Sequence, residues 1–186
     1  MDDLKIIESC LLGNTQIFSR LIDNYKNMVY NLAYRMSNNP HEAEDISQDA
    51  FLRAYQSLAR FNSSYKFSTW IYQITLNIIR DRFKKKELNY VSLDAPVETG
   101  DSEFYLQPED LTNNPEQIMT QKEDAQVIQK AIYSLPLKYR EVIVLRHLQD
   151  LSYTEITNIL KLPAGTVKVR LYRAREQLKK ILETSR

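Results

Sequence analysis

The sequence has very few of the residues that form cross-links, metal sites and phosphate-binding loops. Its one cysteine, Cys10, excludes an internal disulfide, and its two histidines, His41 and His147, are too few to predict a metal-ligand cluster from spacing. Its three glycines form no glycine-rich phosphate loop, and no nucleophile with an adjacent base is evident. We therefore expect no enzymatic activity, no catalytic residues, no metal and no cofactor.

Long apolar runs are also absent. No segment approaches the roughly 20 residues that a membrane-spanning helix requires. The N-terminal Met-Asp-Asp-Leu-Lys lacks the basic-then-apolar order of a signal peptide. We expect a cytoplasmic protein without direct membrane insertion. With 186 residues, 43% of them hydrophobic and 26% charged, the composition is typical of a globular, helix-rich chain with one medium domain or two small ones.

Helical periodicity is present at both ends of the chain. Apolar residues recur at helical spacing from residue 4 to residue 86, with polar breaks at 38–40 and 62–64. A second periodic stretch, interrupted by short turns, runs from residue 121 to residue 182 and predicts about four helices. The two stretches indicate two helical units.

The middle of the chain has a different composition. From 87 to 121 the periodicity stops, no Lys or Arg occurs, and acidic residues and prolines recur. This pattern is typical of an extended linker, and a solvated tether without contacts fits it equally well. We predict an all-α chain of two small helical domains, over 1–90 and 121–186, joined by a flexible acidic linker over 91–120.

The C-terminal part has the pattern of a helix-turn-helix. Ser152 and Glu155 are spaced as a capping box, which predicts a short helix from Tyr153 to Leu160. A turn at 161–163 follows, and then a last helix. The apolar face of this last helix consists of Val167, Leu171, Ala174, Leu178 and Leu182.

The other face of the last helix is basic and aromatic, as in a helix that enters the major groove. Val169, Tyr172 and Arg173 lie opposite the apolar row, with Lys168 at its flank. The cations can contact guanine edges or phosphates, and the tyrosine and valine can contact base methyl groups. Further candidates for DNA-backbone contacts are Thr154 and Arg146. The alternative is a solvated charged face on an ordinary bundle helix.

The helix predicted over 68–86 carries a polar stripe beside its apolar row. The stripe consists of Trp70, Gln73, Asn77, Arg80 and Lys84. An aromatic ring followed by amides and cations suits a single nucleic-acid strand, because rings stack on unpaired bases while cations contact phosphates. The preceding loop, Phe61 to Lys66, can hold a flipped base. The alternative for the tryptophan is plain packing in the core.

The helix predicted over 41–58 carries an acidic face. Glu42, Asp45 and Asp49 lie on one side with Gln48 beside them, and Ile46, Ala50 and Leu52 are predicted to point inward. Because no histidine or pocket accompanies the carboxylates, a docking face or a solvated surface is favoured over acid-base catalysis or metal binding.

Four segments of the sequence resemble, in order and at fitting separations, the signature segments of extracytoplasmic-function (ECF) sigma factors of the sigma-70 family. They are HEAEDISQDAFLRAYQSLARF, KFSTWIYQITLNIIRDRFKKK, LPLKYREVIVLRHLQDLSYTEI and LPAGTVKVRLYRAREQLKK. The resemblance covers nearly the whole chain. It implies a transcription initiation factor whose domain over 1–90 corresponds to sigma region 2 and whose domain over 121–186 corresponds to sigma region 4.

The resemblance also implies roles for individual residues. The core RNA polymerase is expected to bind Asp45, Gln48, Asp49 and Arg53. The minus-ten promoter element, melted to expose its non-template strand, is expected to contact Phe61, Asn62, Ser63, Ser64, Tyr65, Lys66, Trp70, Gln73, Asn77 and Arg80. The duplex minus-thirty-five element is expected to contact Arg146, Ser152, Thr154, Thr166, Lys168, Val169, Arg170, Tyr172 and Arg173. An anti-sigma factor, possibly membrane-anchored, is the further partner that the resemblance implies.

Two alternatives stay open at this point. An autonomous helix-turn-helix regulator would bind duplex DNA as a dimer without polymerase, but it would need neither the acidic face nor the aromatic stripe. A nucleic-acid enzyme would need catalytic groups that the sequence does not suggest.

Overall fold

The computed structural model describes residues 2–92 and 115–184. Within these ranges the chain is helical and contains no strand, which confirms the all-α prediction. The N-terminal bundle consists of α1 (Asp3–Leu11), α2 (Phe18–Ser37), α3 (Pro40–Gln56) and α4 (Phe67–Ser92), with short 3-10 turns at Thr15–Ile17 and Leu58–Arg60. The C-terminal bundle consists of α5 (Pro115–Ser134), α6 (Leu137–Ile143), α7 (Tyr153–Leu160) and α8 (Ala164–Thr184), with a π turn at Val144–Leu148.

The break between α2 and α3 is specified locally. Asn38 ends α2 in the left-handed region, with a φ of 55°, which asparagine tolerates better than most residues. The side chain of Asn39 then accepts a hydrogen bond from the Glu42 amide at 3.0 Å, and Pro40 stands at the first helical position. The predicted break at 38–40 is confirmed.

The N-terminal bundle packs around an apolar core from all four helices. Its largest fully buried side chains are Ile6, Leu21, Leu32, Met36, Ile46, Phe67, Ile71, Leu76, Ile78 and Ile79. The prediction that Leu52 points inward is wrong, because this side chain is 55% exposed. At about 100° per residue it lies nearly opposite the inward row of Ile46 and Ala50, and Phe51 is buried instead.

The C-terminal bundle contains the predicted helix-turn-helix. Helix α7 has the predicted bounds, and its capping box is present: the Ser152 hydroxyl accepts from the Glu155 amide at 3.2 Å, and the Glu155 carboxylate accepts from the Ser152 amide at 3.0 Å. Lys161 ends the helix in the left-handed region with a φ of 54°. Buried Val167, Leu171 and Ala174 pack α8 against the rest of the bundle.

The two bundles contact each other directly. Helix α2 contacts α5 and the π turn, and α4 contacts α7. The buried side chains of both bundles form one continuous apolar core. In the described part of the chain, the C-terminal bundle therefore packs against one side of the N-terminal bundle.

Arg140, on α6, is central to this contact and only 5% exposed. Its guanidinium lies against the rings of both Phe83 of α4 and Tyr133 of α5, at 5.0 and 4.3 Å from their centroids. It donates to the Met36 carbonyl at 2.6 Å, to the Leu135 carbonyl at 3.1 Å and to the Tyr133 carbonyl. One buried side chain thus joins both bundles.

Most of the predicted linker over 91–120 lies outside the described residues, which resume at 115. At its two ends the chain is helical, since α4 runs to Ser92 and α5 begins at Pro115. Across the two described ranges, no helix is long and apolar enough to cross a membrane.

Candidate nucleic-acid interfaces

Helix α8 presents the predicted recognition face to solvent. Tyr172 is 67% exposed and Val169 50% exposed, and the side chains of Lys168 and Arg173 are exposed beside them. Thr166 and Arg170 are partly buried at the edge of this face. The surface combines two cations, an aromatic ring and an aliphatic group on one helix, which is the chemistry needed for base edges and thymine methyl groups.

A groove runs beside this face, between α8 and the start of α6. It is lined by Lys138, Tyr139, Pro163, Gly165, Thr166, Val169, Arg170 and Arg173. Lys138, whose ammonium lies 5.1 Å from the Tyr139 ring centroid, was not among the predicted site residues. It is distant in sequence from the helix-turn-helix. The sequence feature that could have identified it is its place directly after Leu135-Pro136-Leu137, where α6 begins.

The residues that precede α7 mainly fix its position. Arg146 donates to the Leu151 carbonyl at 2.8 Å, and its guanidinium lies 5.4 Å from the Tyr153 ring centroid. The Ser152 hydroxyl is engaged in the capping box, whereas Thr154, the second residue of α7, is exposed. Of these predicted minus-thirty-five residues, Thr154 has the side chain most available to a DNA backbone.

His147 and Arg175 bring the π turn and α8 together. The guanidinium nitrogens Nε and Nη2 of Arg175 lie 3.3 and 3.1 Å from His147 Nε2. Burial lowers the pKa of His147, and the positive charges of Arg175 and Arg146 lower it further. The imidazole is therefore neutral at neutral pH and can accept a hydrogen bond from Arg175.

The start of α4 holds a cluster of three aromatic rings. The Trp70 ring lies 5.3 Å from that of Phe61 and 5.8 Å from that of Phe67, centroid to centroid. Phe67 is buried, whereas Trp70 and Phe61 are half-buried and pack against the core. Core packing and base stacking are therefore both possible for Trp70, since one part of the ring packs inward and another part remains accessible.

The loop before α4 exposes short polar side chains. The Asn62 side chain accepts from the Ser64 amide at 2.9 Å, which closes a tight turn. Ser63, Ser64, Tyr65 and Lys66 are all exposed. With the aromatic cluster and the end of α7, this loop encloses a cleft of about 520 Å³.

The rest of the polar stripe continues along α4. Gln73 and Arg80 are partly buried, and Asn77 is exposed between them. Arg80 Nη1 donates to the Asn77 side chain at 3.1 Å, so the two are held together. The structure therefore brings all ten predicted minus-ten residues to one side of the N-terminal bundle.

The acidic face of α3 is paired in part with the basic end of α4. Asp49 lies 2.6 Å from an Arg82 nitrogen, Glu42 lies 2.8 Å from Lys86 Nζ, and Arg53 lies 3.7 Å from Asp81. Asp45 and Gln48 are exposed on the same helix, next to the exposed Leu52 and Tyr55. Acidic, amide and apolar groups together suit a protein partner. The described residues contain no group of three metal-ligating side chains.

Two family models match the chain in order. Sigma-70 region 2 matches residues 21–88, which span α2, α3 and most of α4. Sigma-70, region 4 matches residues 125–178, which span the C-terminal bundle from α5 into α8. The faces of α3, α4 and α8 described above all fall within these matches.

Curated relatives match nearly the full length. The ECF RNA polymerase sigma factor SigW of Bacillus subtilis is 43% identical over 180 residues, 96% of this chain and 95% of that protein. The ECF RNA polymerase sigma-E factor of Escherichia coli is 32% identical over 179 residues, 96% of this chain and 93% of that protein.

Solved structures share the fold. CnrH, in complex with the cytosolic domain of CnrY, matches with a TM-score of 0.68 at 20% identity over 97% of both chains. RpoE from Bartonella quintana, in complex with the anti-sigma factor NepR, matches with a TM-score of 0.69 at 22% identity over 91% of this chain and 98% of that one. The comparisons support the sigma-factor prediction over the autonomous regulator. The chain belongs to the ECF RNA polymerase sigma factors of the sigma-70 family and is a transcription initiation factor.

Proposed function

We propose that the two bundles divide promoter recognition between them, with the N-terminal bundle over 1–90 and the C-terminal bundle over 121–186, joined by a linker over 91–120. The observation that carries this division is the presence of two chemically different faces on separate helices. The exposed basic face of α8 suits a duplex groove, and the aromatic and amide face of α4 suits a single strand. An autonomous regulator would need only the duplex-binding face of α8.

The face of α4 captures the non-template strand of the minus-ten element. The accessible parts of Trp70 and Phe61 stack on unpaired bases, and stacking contributes roughly 1–3 kcal/mol per base. Asn62 and the serines beside it offer donors and acceptors to a base held in the cleft. Arg80 contacts the strand's phosphates. Stabilising unpaired bases in this way favours the melted over the duplex promoter.

Helix α8 recognises the minus-thirty-five element in the major groove. Arg173 and Lys168 contact guanine edges or phosphates, and Tyr172 and Val169 contact thymine methyl groups. Thr154 and Lys138 contact phosphates on either side of the groove. Base contacts supply the sequence preference, whereas phosphate contacts fix the register of α8 on the duplex.

Core RNA polymerase binds the exposed face of α3. Asp45, Gln48, Asp49 and Arg53 supply charge complementarity, and exposed Leu52 adds apolar contact area. Because Asp49 and Arg53 already pair with α4, their side chains are held in place before the partner arrives.

An anti-sigma factor, possibly membrane-anchored, is a further proposed partner. The similar RpoE structure was captured with the anti-sigma factor NepR, and CnrH with the cytosolic domain of CnrY. We also propose that the protein acts in the cytoplasm, where polymerase and promoters are, and that it works by binding without catalysing a reaction itself.

The experiment that tests the polymerase face compares two charge reversals. Asp45→Lys places a cation on the docking face without breaking a described ion pair. Asp23→Lys makes the same charge change on α2, away from that face, and breaks only an exposed pair with Lys26, which contributes little to stability. We expect Asp45→Lys to weaken binding to purified core polymerase at least tenfold, measured by fluorescence anisotropy of labelled protein, since like-charge contacts cost several kcal/mol and about 1.4 kcal/mol is tenfold. Asp23→Lys should bind as the wild type does. Equal affinities for the two variants would remove α3 from the proposed role.

A further inference from the structure

Two of the residues proposed to bind core polymerase, Asp49 and Arg53, have opposite charges and lie one turn apart on α3. At this spacing of four positions, an aspartate and an arginine on an isolated helix pair with each other. In this protein each has its partner on α4: Arg82 Nη2 lies 2.6 Å from Asp49 Oδ2, and Asp81 Oδ2 lies 3.7 Å from Arg53 Nη1. Two adjacent, oppositely charged residues of α4 thus draw apart two opposite charges of α3.

The core of the N-terminal bundle fixes the place of Arg82. This residue follows Ile78 by four positions and Ile79 by three, and both isoleucines are fully buried, so Arg82 stands on the inward side of α4. Its side chain is 28% exposed, compared with 52% for Arg53. A side chain that is enclosed in this way has already lost most of its rotamer freedom, so it can hold Asp49 at little further loss of entropy.

The contact with Arg82 leaves Asp49 accessible to a partner. Arg82 donates to Oδ2 alone, and the Asp49 side chain is still 45% exposed. A carboxylate has two oxygens with about four acceptor positions, so Oδ1 remains for hydrogen bonds from another protein. Arg53 is likewise held at one nitrogen, Nη1, and keeps its other donors. Each side chain is therefore anchored on one side and offered on the other.

We propose that Arg82 is a positioning residue for the polymerase face: it holds the Asp49 carboxylate ready for the partner and keeps it from pairing with Arg53. The inference rests on the proposed role of α3 in binding core polymerase. An ion pair as exposed as this one adds little to stability, so its effect lies mainly in binding. A side chain that is ordered beforehand loses little freedom when the partner arrives, and this raises affinity.

The test is a double-mutant cycle in the full chain. Arg82→Gln releases the Asp49 carboxylate, Asp49→Asn removes its charge, and the double variant shows whether the two act together. The matched control is Lys86→Gln, which also removes one cation from α4. It releases Glu42, which pairs with Lys86 at 2.8 Å and is not among the residues proposed to bind polymerase. Affinity for purified core polymerase is measured by fluorescence anisotropy of labelled protein, and the fold of each variant is checked by urea denaturation.

The direction of the effect distinguishes positioning from a simple change of charge. A partner that binds Asp45 and Asp49 through charge complementarity presents positive groups to them. Removal of a cation beside these aspartates would then strengthen binding if only the net charge of the face mattered. Loss of positioning acts in the opposite direction, because a released Asp49 has to leave Arg53 and become ordered during binding. Weaker binding by Arg82→Gln is therefore not explained by charge alone.

We expect Arg82→Gln to bind core polymerase about threefold to tenfold more weakly than the wild type, with a urea midpoint close to the wild-type value. Asp49→Asn should also bind more weakly, and adding Arg82→Gln to it should cause no further loss. Lys86→Gln should bind at least as tightly as the wild type.

Equal affinities for Arg82→Gln and Lys86→Gln would overturn the inference. So would a further loss of about threefold or more when Arg82→Gln is added to Asp49→Asn, because Arg82 would then act independently of Asp49. If Asp49→Asn itself binds as tightly as the wild type, the proposed polymerase-binding role of Asp49 fails instead.

Discussion

Replacing Arg140 with alanine should destabilise both the C-terminal bundle and its contact with the N-terminal bundle. Burial lowers the pKa of this guanidinium to about 10, so it remains charged at neutral pH. The substitution removes a charged donor from the carbonyls of Met36, Tyr133 and Leu135 and a cation from its contact with two rings. Each buried carbonyl that is left without a donor typically costs about 1–3 kcal/mol.

One feature of the site moderates this loss. The buried Nε of Arg140 has no hydrogen-bond partner among the described residues, which is itself unfavourable and is relieved by the substitution. We therefore expect a decrease of about 3 kcal/mol in the free energy of unfolding, which is less than the sum for three such carbonyls. Arg173→Ala, which removes an exposed arginine from the same bundle, should change it by less than about 0.5 kcal/mol.

Urea denaturation with two probes measures this effect. Fluorescence of Trp70 reports the N-terminal bundle, and circular dichroism at 222 nm reports the helices of both. In the wild type the two transitions should coincide, because the bundles share one core. In Arg140→Ala the circular dichroism transition should begin at lower urea than the fluorescence transition. The role given to Arg140 would be refuted if the two transitions of the variant coincided and its free energy of unfolding lay within about 0.5 kcal/mol of the wild-type value.

Three further predictions concern the helix-turn-helix. Ser152→Ala removes the cap of α7 and should lower the free energy of unfolding by about 1 kcal/mol in urea denaturation; no loss would show that the capping box contributes nothing. Arg173→Ala should weaken binding of the duplex minus-thirty-five element by about 1–3 kcal/mol in a gel-shift titration if the guanidinium contacts a guanine, and unchanged affinity would exclude that contact. Because the folded-state pKa of His147 is lowered, the unfolded chain binds the proton more readily, so stability should fall as pH drops through the ordinary value of 6.5. Measuring the free energy of unfolding against pH for the wild type and for a His147→Gln variant, and subtracting the second profile from the first, isolates this loss. If the two profiles are parallel, the prediction is contradicted.

The parts of the fold that depend on local chemistry were predictable from the sequence. The capping box and the turn at 161–163 gave the bounds of α7, and helical spacing gave the buried and exposed faces of α8. The one residue that was wrongly predicted to point inward is Leu52. The same helical spacing explains its exposure, because Ala50 and Phe51 together complete the inward face of α3. Short-range rules of this kind need no knowledge of the partner helix.

The contact between the bundles was not predictable. Arg80 and Glu141 are 61 positions apart, and Arg140 and Met36 are 104 positions apart. In the sequence, Arg140 and Glu141 are an ordinary charged pair on a helix, and only three-dimensional packing makes them buried. The half-buried state of Trp70 likewise depends on Phe61 and Phe67 meeting it in space. Pairwise contacts over such separations leave no periodic signal in one sequence.

The measurement that tests the central claim most directly is run-off transcription with purified bacterial core RNA polymerase on a pool of genomic promoter fragments. The account predicts discrete transcripts only when core polymerase and this protein are both present, with start sites downstream of a shared pair of elements. It also predicts that Asp45→Lys abolishes these transcripts while Asp23→Lys retains them. Absence of any transcript, together with tight duplex binding by the protein alone, would contradict the account.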